Sequence, residues 1–554
     1  MKGVTRFGLI LAAIAALAAA GACAPKPAAT PQPTAAPVAL VSQRGEFFSA
    51  AADCAFCHTA LKDAAGTDVS IDSDWRSSMM ANSTRDPYYR ASVRSEILAY
   101  PEFNDIIQDK CTVCHVGMAY QTASFTGETI HLVGDDGFMN ADHPLHNLAI
   151  DGVSCTLCHQ IEAGNLGEEP SFSGGYQIDS TTPAGSRAIY GQFAVDSANS
   201  AVMSGTSGYT PAQSEHILQS ETCAVCHNLF TPYITNDGEL SDELFPEQTP
   251  QLEYQHSAYP GTQTCQTCHM PAASGAVAIA NTGSPAREPF GQHILAGGNL
   301  FMVNLFSNNA QALNASANSD HFAVTAQQIS DQLTQRTATL NLKAEQDGAQ
   351  LTVDAAIQIL TGHKFPTSFP SRRAWLHLTI LDGKQQVIFE SGGWNADGSI
   401  VGNANDADAA QFEPHYAEIN AADQVQIYEP IIGDPNGQVT TNLLRAKNYL
   451  KDNRLLPLGF EKTTADPVIA VAGAALQDAD FIAGGDTTRY LIDTGAYTGP
   501  FTIKAELLYQ SIGFRWSEKF RSEADNPEGA EFYSYLENTP LTPVVISSAE
   551  TTLP

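Results

Sequence analysis

Basic residues are scarce in this chain. Its 554 residues include 28 Lys and Arg against 60 Asp and Glu, a formal net charge of -32. Nucleic acid and anionic membrane surfaces are bound by clustered cations, so the composition argues against both as partners. Long hydrophobic runs are lacking too. None reaches the roughly 18–20 residues of a spanning helix, which excludes a polytopic membrane protein. Cysteine is missing after Cys268, and only His363, His377 and His415 follow His321. Any chemistry that needs thiols is therefore confined to the first half. What remains is ample for folding. Hydrophobic residues make up 43% of the chain, and the length suggests two to four domains at roughly 150 residues each.

Lys2 and Arg6 precede an apolar run from Phe7 to Ala22. These are the charged and apolar regions of an export signal, expected over residues 1–22. Ala20-Gly21-Ala22-Cys23 resembles the lipobox of bacterial lipoproteins, although Leu is more usual where Ala20 stands. That resemblance implies acylation of Cys23. An ordinary cleaved signal is the alternative. The Pro- and Ala-rich stretch that follows reads as an extended tether, ending near residue 45. The expected location is periplasmic or cell-surface, with the membrane reached through the lipid anchor only.

Ten of the eleven cysteines fall in five identical patterns. They are Cys54-Ala-Phe-Cys57-His58, Cys111-Thr-Val-Cys114-His115, Cys155-Thr-Leu-Cys158-His159, Cys223-Ala-Val-Cys226-His227 and Cys265-Gln-Thr-Cys268-His269. C-x-x-C-H is the attachment site of c-type haem. Two thiols must reach two vinyl groups on one porphyrin edge, and the adjacent imidazole must swing under the ring to bind iron. Disulfides, zinc sites and thioredoxin-like redox pairs do not require His after the second cysteine. Five such histidines by chance have a probability on the order of 10⁻⁸. The expected cofactors are five covalently attached haem c groups.

Five haems within residues 54–269 leave about 43 residues for each, far fewer than an ordinary domain uses. The haems themselves should then form the core of a mostly helical or irregular domain, expected over 46–325. Tyr88 to Leu98 and Ser214 to Cys226 show helical spacing. Ser171 to Gly175 and Ser204 to Gly208 read as loops. After about residue 325 alternation takes over. Leu340 to Ala344 and Leu351 to Ile359 flank Gln346-Asp347-Gly348, a hairpin signal. Leu376 to Ile380 and Val387 to Glu390 flank Asp382-Gly383, and Phe501 to Tyr509 alternates again. A β-sandwich is expected over 326–554, making the whole an α+β multidomain chain. Thr441 to Leu456 reads as a helical insertion.

Ten histidines lie outside the motifs: His131, His143, His146, His216, His256, His293, His321, His363, His377 and His415. Imidazole as sixth ligand gives a closed iron suited to electron transfer. His146 stands nine residues before Cys155 and His216 seven before Cys223. His293 opens a segment leading into Gly297-Gly298-Asn299. Met79, Met80, Met118 and Met270 are alternatives for one iron, with gap-filling beside a porphyrin as their plainer role.

Several stretches carry a family likeness. They are Trp75-Arg76-Ser77-Ser78-Met79-Met80, Asp151-Gly152-Val153-Ser154, Cys268-His269-Met270-Pro271, His293 to Asn299 and Gly362-His363-Lys364-Phe365-Pro366-Thr367. The chain resembles, over roughly residues 46 to 380, the multihaem c-type cytochromes related to the tetrahaem electron carrier of ammonia oxidisers. Those relatives carry four or eight haems, so five is a departure. The resemblance implies that His363 reaches a haem iron from the β domain. The expected function is electron transfer between membrane-associated or periplasmic redox proteins, with no catalytic residue. The alternative is an oxidoreductase acting on nitrite or hydroxylamine at a five-coordinate haem. Pentahaem nitrite reductases mark that haem with a proximal Lys, whereas all five motifs here end in His.

Overall fold

The computed structural model describes residues 39–554, so the export signal, Cys23 and most of the tether lie outside the described residues. Helices and loops dominate as far as residue 336 and β-sheet after it. The five motifs sit on helices, two of them longer than a turn or so (Asn104–His115 and Glu221–His227) and three brief (Ala52–Ala55, Cys155–Cys158, Cys265–His269). The helix Pro87–Ala99 starts where the side chain of Asp86 accepts from the Tyr88 and Tyr89 N–H groups, with Pro87 in its first turn. Both features satisfy or remove donors that a helix start leaves without partners. Its buried face carries Tyr88, Tyr89, Ala91 and Val93.

The alternating segments form two sheets. The strands are β1 (Ala338–Asp347), β2 (Gln350–Ile359), β3 (Arg373–Leu381), β4 (Val387–Ser391), β5 (Glu418–Ile419), β6 (Ile427–Tyr428), β7 (Gly485–Asp493), β8 (Phe501–Gln510) and β9 (Val544–Leu553). One sheet runs β5-β7-β2-β1; the other runs β4-β3-β8-β9, with β6 also paired to β3. The β1–β2 hairpin turns through Gly348 at φ +60°, a conformation glycine adopts without strain. Leu351, Val353, Ala355 and Ile357 of the first sheet share one buried core with Leu376, Leu378, Ile380, Ile503, Ala505 and Leu507 of the second.

That core crosses residue 325. Tyr88, Ala91, Phe245, Ile294 and Met302 belong to it, and the helix Ser319–Arg336 runs through the expected boundary. Helix Pro87–Ala99 also lies along helix Pro527–Leu536. Arg94 makes a two-point pair with Glu528 at 2.9 and 3.0 Å, and Arg90 pairs with Glu531 at 3.0 Å.

Two local expectations are corrected. Thr441 to Leu456 is not a helix: Asn448–Asp452 is a strand paired with Pro430–Gly433. Its Lys451 and Asp452 are buried in ion pairs, so tertiary contacts override the local preference. Ser204 to Gly208 is not a loop. Ser197–Ser207 is helical, capped by Asp196, and Gly208 at φ +82° ends it.

Candidate functional site

All ten motif cysteines are free of disulfides. Thiols of different motifs meet instead. Cys155 lies beside Cys54, Cys223 beside Cys265, and Cys226 beside Cys114. Backbone contacts reinforce each meeting. The Ala51 N–H, at the start of the first motif's helix, donates to Asp151 Oδ2 at 2.8 Å, and Thr156 Oγ1 donates to the Ser49 carbonyl at 2.7 Å. The Gly174 N–H donates to the Val225 carbonyl at 2.7 Å while Tyr176 Oη donates to the Val113 carbonyl at 3.0 Å, so one loop joins motifs two and four. Gln266 Nε2 donates to the Gln219 carbonyl at 2.8 Å, joining motif five to motif four. The third and fourth motifs are near enough for Cys158 to feel the charge of Cys226.

The residues between the paired cysteines differ in exposure. In motifs two, three and four they are buried: Thr112, Val113, Thr156, Leu157, Ala224 and Val225. In motifs one and five they reach the surface, with Phe56 72% exposed and Thr267 exposed.

Hydrogen bonds sort the histidines. A carbonyl only accepts, so a ring whose Nδ1 meets a carbonyl carries its proton there and keeps the Nε2 lone pair free for a metal. Three motif histidines are held this way. His58 Nδ1 donates to Ile279 (2.8 Å), His159 Nδ1 to Tyr190 (2.6 Å) and His269 Nδ1 to Ala296 (2.5 Å). Among the others, His146 donates to Phe138 (2.9 Å), His293 to Gly291 (3.2 Å), His363 to Lys364 (2.9 Å) and His256 to Leu252 (2.9 Å). His115 is stacked on Tyr89 with ring centres 4.0 Å apart, and its buried Nδ1 has no partner. His227 is exposed.

Two pairs of these rings face one another. His159 and His293 have ring centres 6.3 Å apart at 25°, and His269 and His363 have theirs 6.3 Å apart at 12°. An imidazole centre lies about 1 Å from its Nε2, and an imidazole–metal bond is about 2 Å. Two imidazoles on opposite sides of one iron therefore sit about 6 Å apart. Burial holds His159, His269, His293 and His363 below the usual imidazole range, His293 at about 3. Each is neutral at pH 7, as a metal ligand must be.

No protein-family model and no curated protein matches the chain. Among solved structures, the crystal structure of a penta-heme cytochrome c552 from Thermochromatium tepidum aligns with a TM-score of 0.48 at 16% identity. The alignment covers 87% of this chain and 96% of that one. The likeness is too slight to assign a family.

His216, expected as an iron ligand, is a correction. Its Nδ1 is bonded to Ser214 Oγ at 2.6 Å and its Nε2 donates to the Ile161 carbonyl at 2.9 Å, so neither nitrogen is free. His256 was not singled out by the sequence reading. It stands nine residues before Cys265, the offset that His146 has from Cys155. His131 lies between Asp105 and Asp136, and His377 between Glu390 and Glu506.

His415, Asp478 and Asp486 bring potential ligand atoms within 4.8 Å of one another, yet hydrogen bonding argues against a metal there. His415 Nδ1 accepts from Gln426 Nε2 and Asn453 Nδ2, both at 3.0 Å. Those amides are oriented by the Tyr416 and Glu429 N–H groups, which donate to their oxygens. The His415 proton is thereby fixed on Nε2 and donated to Asp478 at 3.0 Å. No lone pair is left.

Proposed function

We propose that this chain is an exported pentahaem c-type cytochrome that transfers electrons between redox proteins of the periplasm or membrane. The observation that carries the reading is the pair of imidazole couples, His159–His293 and His269–His363, at the separation of a six-coordinate iron. The haems, when bound, supply the one-electron couples. Cys54, Cys57, Cys111, Cys114, Cys155, Cys158, Cys223, Cys226, Cys265 and Cys268 attach them. His58, His115, His159, His227 and His269 are the proximal ligands, His293 and His363 the distal ligands of the third and fifth motifs. His146 and His256 are available for two others.

Contacts between cysteines order the motifs as first, third, fourth and fifth, with the second beside the fourth. The first and fifth close this series, and they are the two whose inter-cysteine residues reach the surface. That supports them as the points where partners dock. The two sheets with their common core support a β-sandwich in the second half of the chain, and the small residues before Cys23 support a lipid anchor there.

The test uses protein matured with haem-attachment machinery. Intact mass should show five haem additions, and low-temperature electron paramagnetic resonance should show low-spin iron. His293→Ala and His363→Ala should each convert one iron to high spin and leave the mass count at five. Four or six additions would overturn the count. A high-spin signal in the unmodified protein would favour the oxidoreductase acting on a small nitrogen compound.

A further inference from the structure

The loop that presents His363 is anchored by charges that have no access to water. Glu253, Lys364, Asp452 and Arg454 are 0%, 0%, 1% and 4% exposed. Lys364 Nζ donates to Asp452 Oδ2 at 2.7 Å, and Arg454 donates to both Asp452 oxygens at 2.8 Å. Arg454 Nη1 also lies 2.8 Å from Glu253 Oε1, an ion pair without hydrogen-bond alignment. Glu253 Oε2 accepts from the Lys364 N–H at 3.2 Å and from the Thr367 hydroxyl. Two cations and two anions close on themselves.

The four come from three parts of the chain. Glu253 is on the helix Pro250–Gln255, which leads into the fifth motif. Lys364 and Thr367 flank Phe365-Pro366 in the His363 loop. Asp452 ends the strand Asn448–Asp452. A buried ion cluster of this kind gains little stability over apolar side chains of equal volume, because desolvation offsets the attraction. What it does supply is fixed geometry. Glu253 Oε2 grips the loop on both sides of Phe365-Pro366, one residue from His363. Its own helix belongs to the segment that ends in His269.

We propose that Glu253 is a positioning residue for His363, setting the distance and angle at which that imidazole faces His269. The proposal rests on reading His269 and His363 as the two ligands of one iron. The other buried charges hold Glu253 and Lys364 in place. Thr367 contributes the second grip on the same oxygen.

The test compares Glu253→Ala, Thr367→Val, Thr367→Ser and His363→Ala in the full-length haem-loaded protein. The readouts are low-temperature electron paramagnetic resonance and a spectroelectrochemical titration. The spectral component lost in His363→Ala should be shifted or lost in Glu253→Ala. Thr367→Val should shift it less, and Thr367→Ser, which keeps the hydroxyl, should leave it in place. The components of the other irons should not move. If Glu253→Ala does not fold, Thr367→Val against Thr367→Ser decides. A lowered melting temperature with the His363-dependent component unmoved in all Glu253 and Thr367 variants would reduce the cluster to a structural rivet and overturn the proposal. A His363→Ala protein with no spectral change would instead overturn the underlying ligand assignment.

Discussion

Asp151 fastens the first motif to the third, and its burial makes a measurable demand. Its side chain is 0% exposed, Oδ2 accepts from the Ala51 N–H at 2.8 Å, and Oδ1 has no partner. Burial raises its pKa from 3.8 to about 7, against the pull of the Ala51 N–H and Arg85. Between those two values the unfolded chain has released the proton and the folded chain keeps it. The folded state then binds more protons, so this group's contribution to stability falls as pH rises. Below 3.8 the group contributes nothing, and above 7 the penalty is complete. A shift of roughly three pKa units corresponds to about 4 kcal/mol. By pH 5 about 1–2 kcal/mol of that has already accrued. Asp151→Asn keeps an oxygen for the Ala51 N–H and removes the titration. Stability is measured from guanidinium transitions followed by far-ultraviolet circular dichroism at pH 5 and pH 8. The variant should lose less stability than the parent between the two, by about 2–3 kcal/mol. Parallel pH profiles for parent and variant would show that Asp151 is not held as a buried neutral acid.

Gly152 adopts φ +67°, and a Cβ there would lie 2.6 Å from the Met80 carbonyl oxygen and 2.8 Å from that of Ala81. Gly152→Ala should therefore cost about 2 kcal/mol or more, read as a lowered denaturation midpoint; an unchanged midpoint would mean the loop relaxes freely. Cys23→Ser should move the protein from the membrane to the soluble fraction on cell fractionation. A native protein already soluble would contradict the anchor.

Much of this was legible because some constraints are local. A thiol pair and an imidazole at fixed spacing are one chemical device, so all five motifs could be read off the chain. The β1–β2 hairpin was legible for a similar reason, since alternation and Gly348 act within a few residues. Which of the other histidines keeps a nitrogen free for a metal is a different kind of information. His216 and His256 precede motifs by seven and nine residues, spacings that by themselves do not rank one above the other. They differ in what their nitrogens meet, Ser214 and Ile161 in one case and Leu252 alone in the other. The strand Asn448–Asp452 is hidden in the sequence because Lys451 and Asp452 look like surface residues until Glu429, Lys364 and Arg454 are brought to them.

The pairing of Arg94 with Glu528 spans 434 residues. It lies beside a core in which the Tyr88 ring packs against those of Phe520 and Phe532. A chain is synthesised from its first residue onward, so helix Pro87–Ala99 must wait for almost the whole polypeptide before its buried face is covered. Closing so long a loop comes late in folding, after local helices and hairpins have formed. The five motifs all precede the segments that complete this core. Their thiols thus remain within reach of modifying enzymes during the same interval in which the unfinished apolar face of Pro87–Ala99 invites misassembly. Access to the motif thiols and closure of the core are in this way coupled through the length of chain between Arg94 and Glu528.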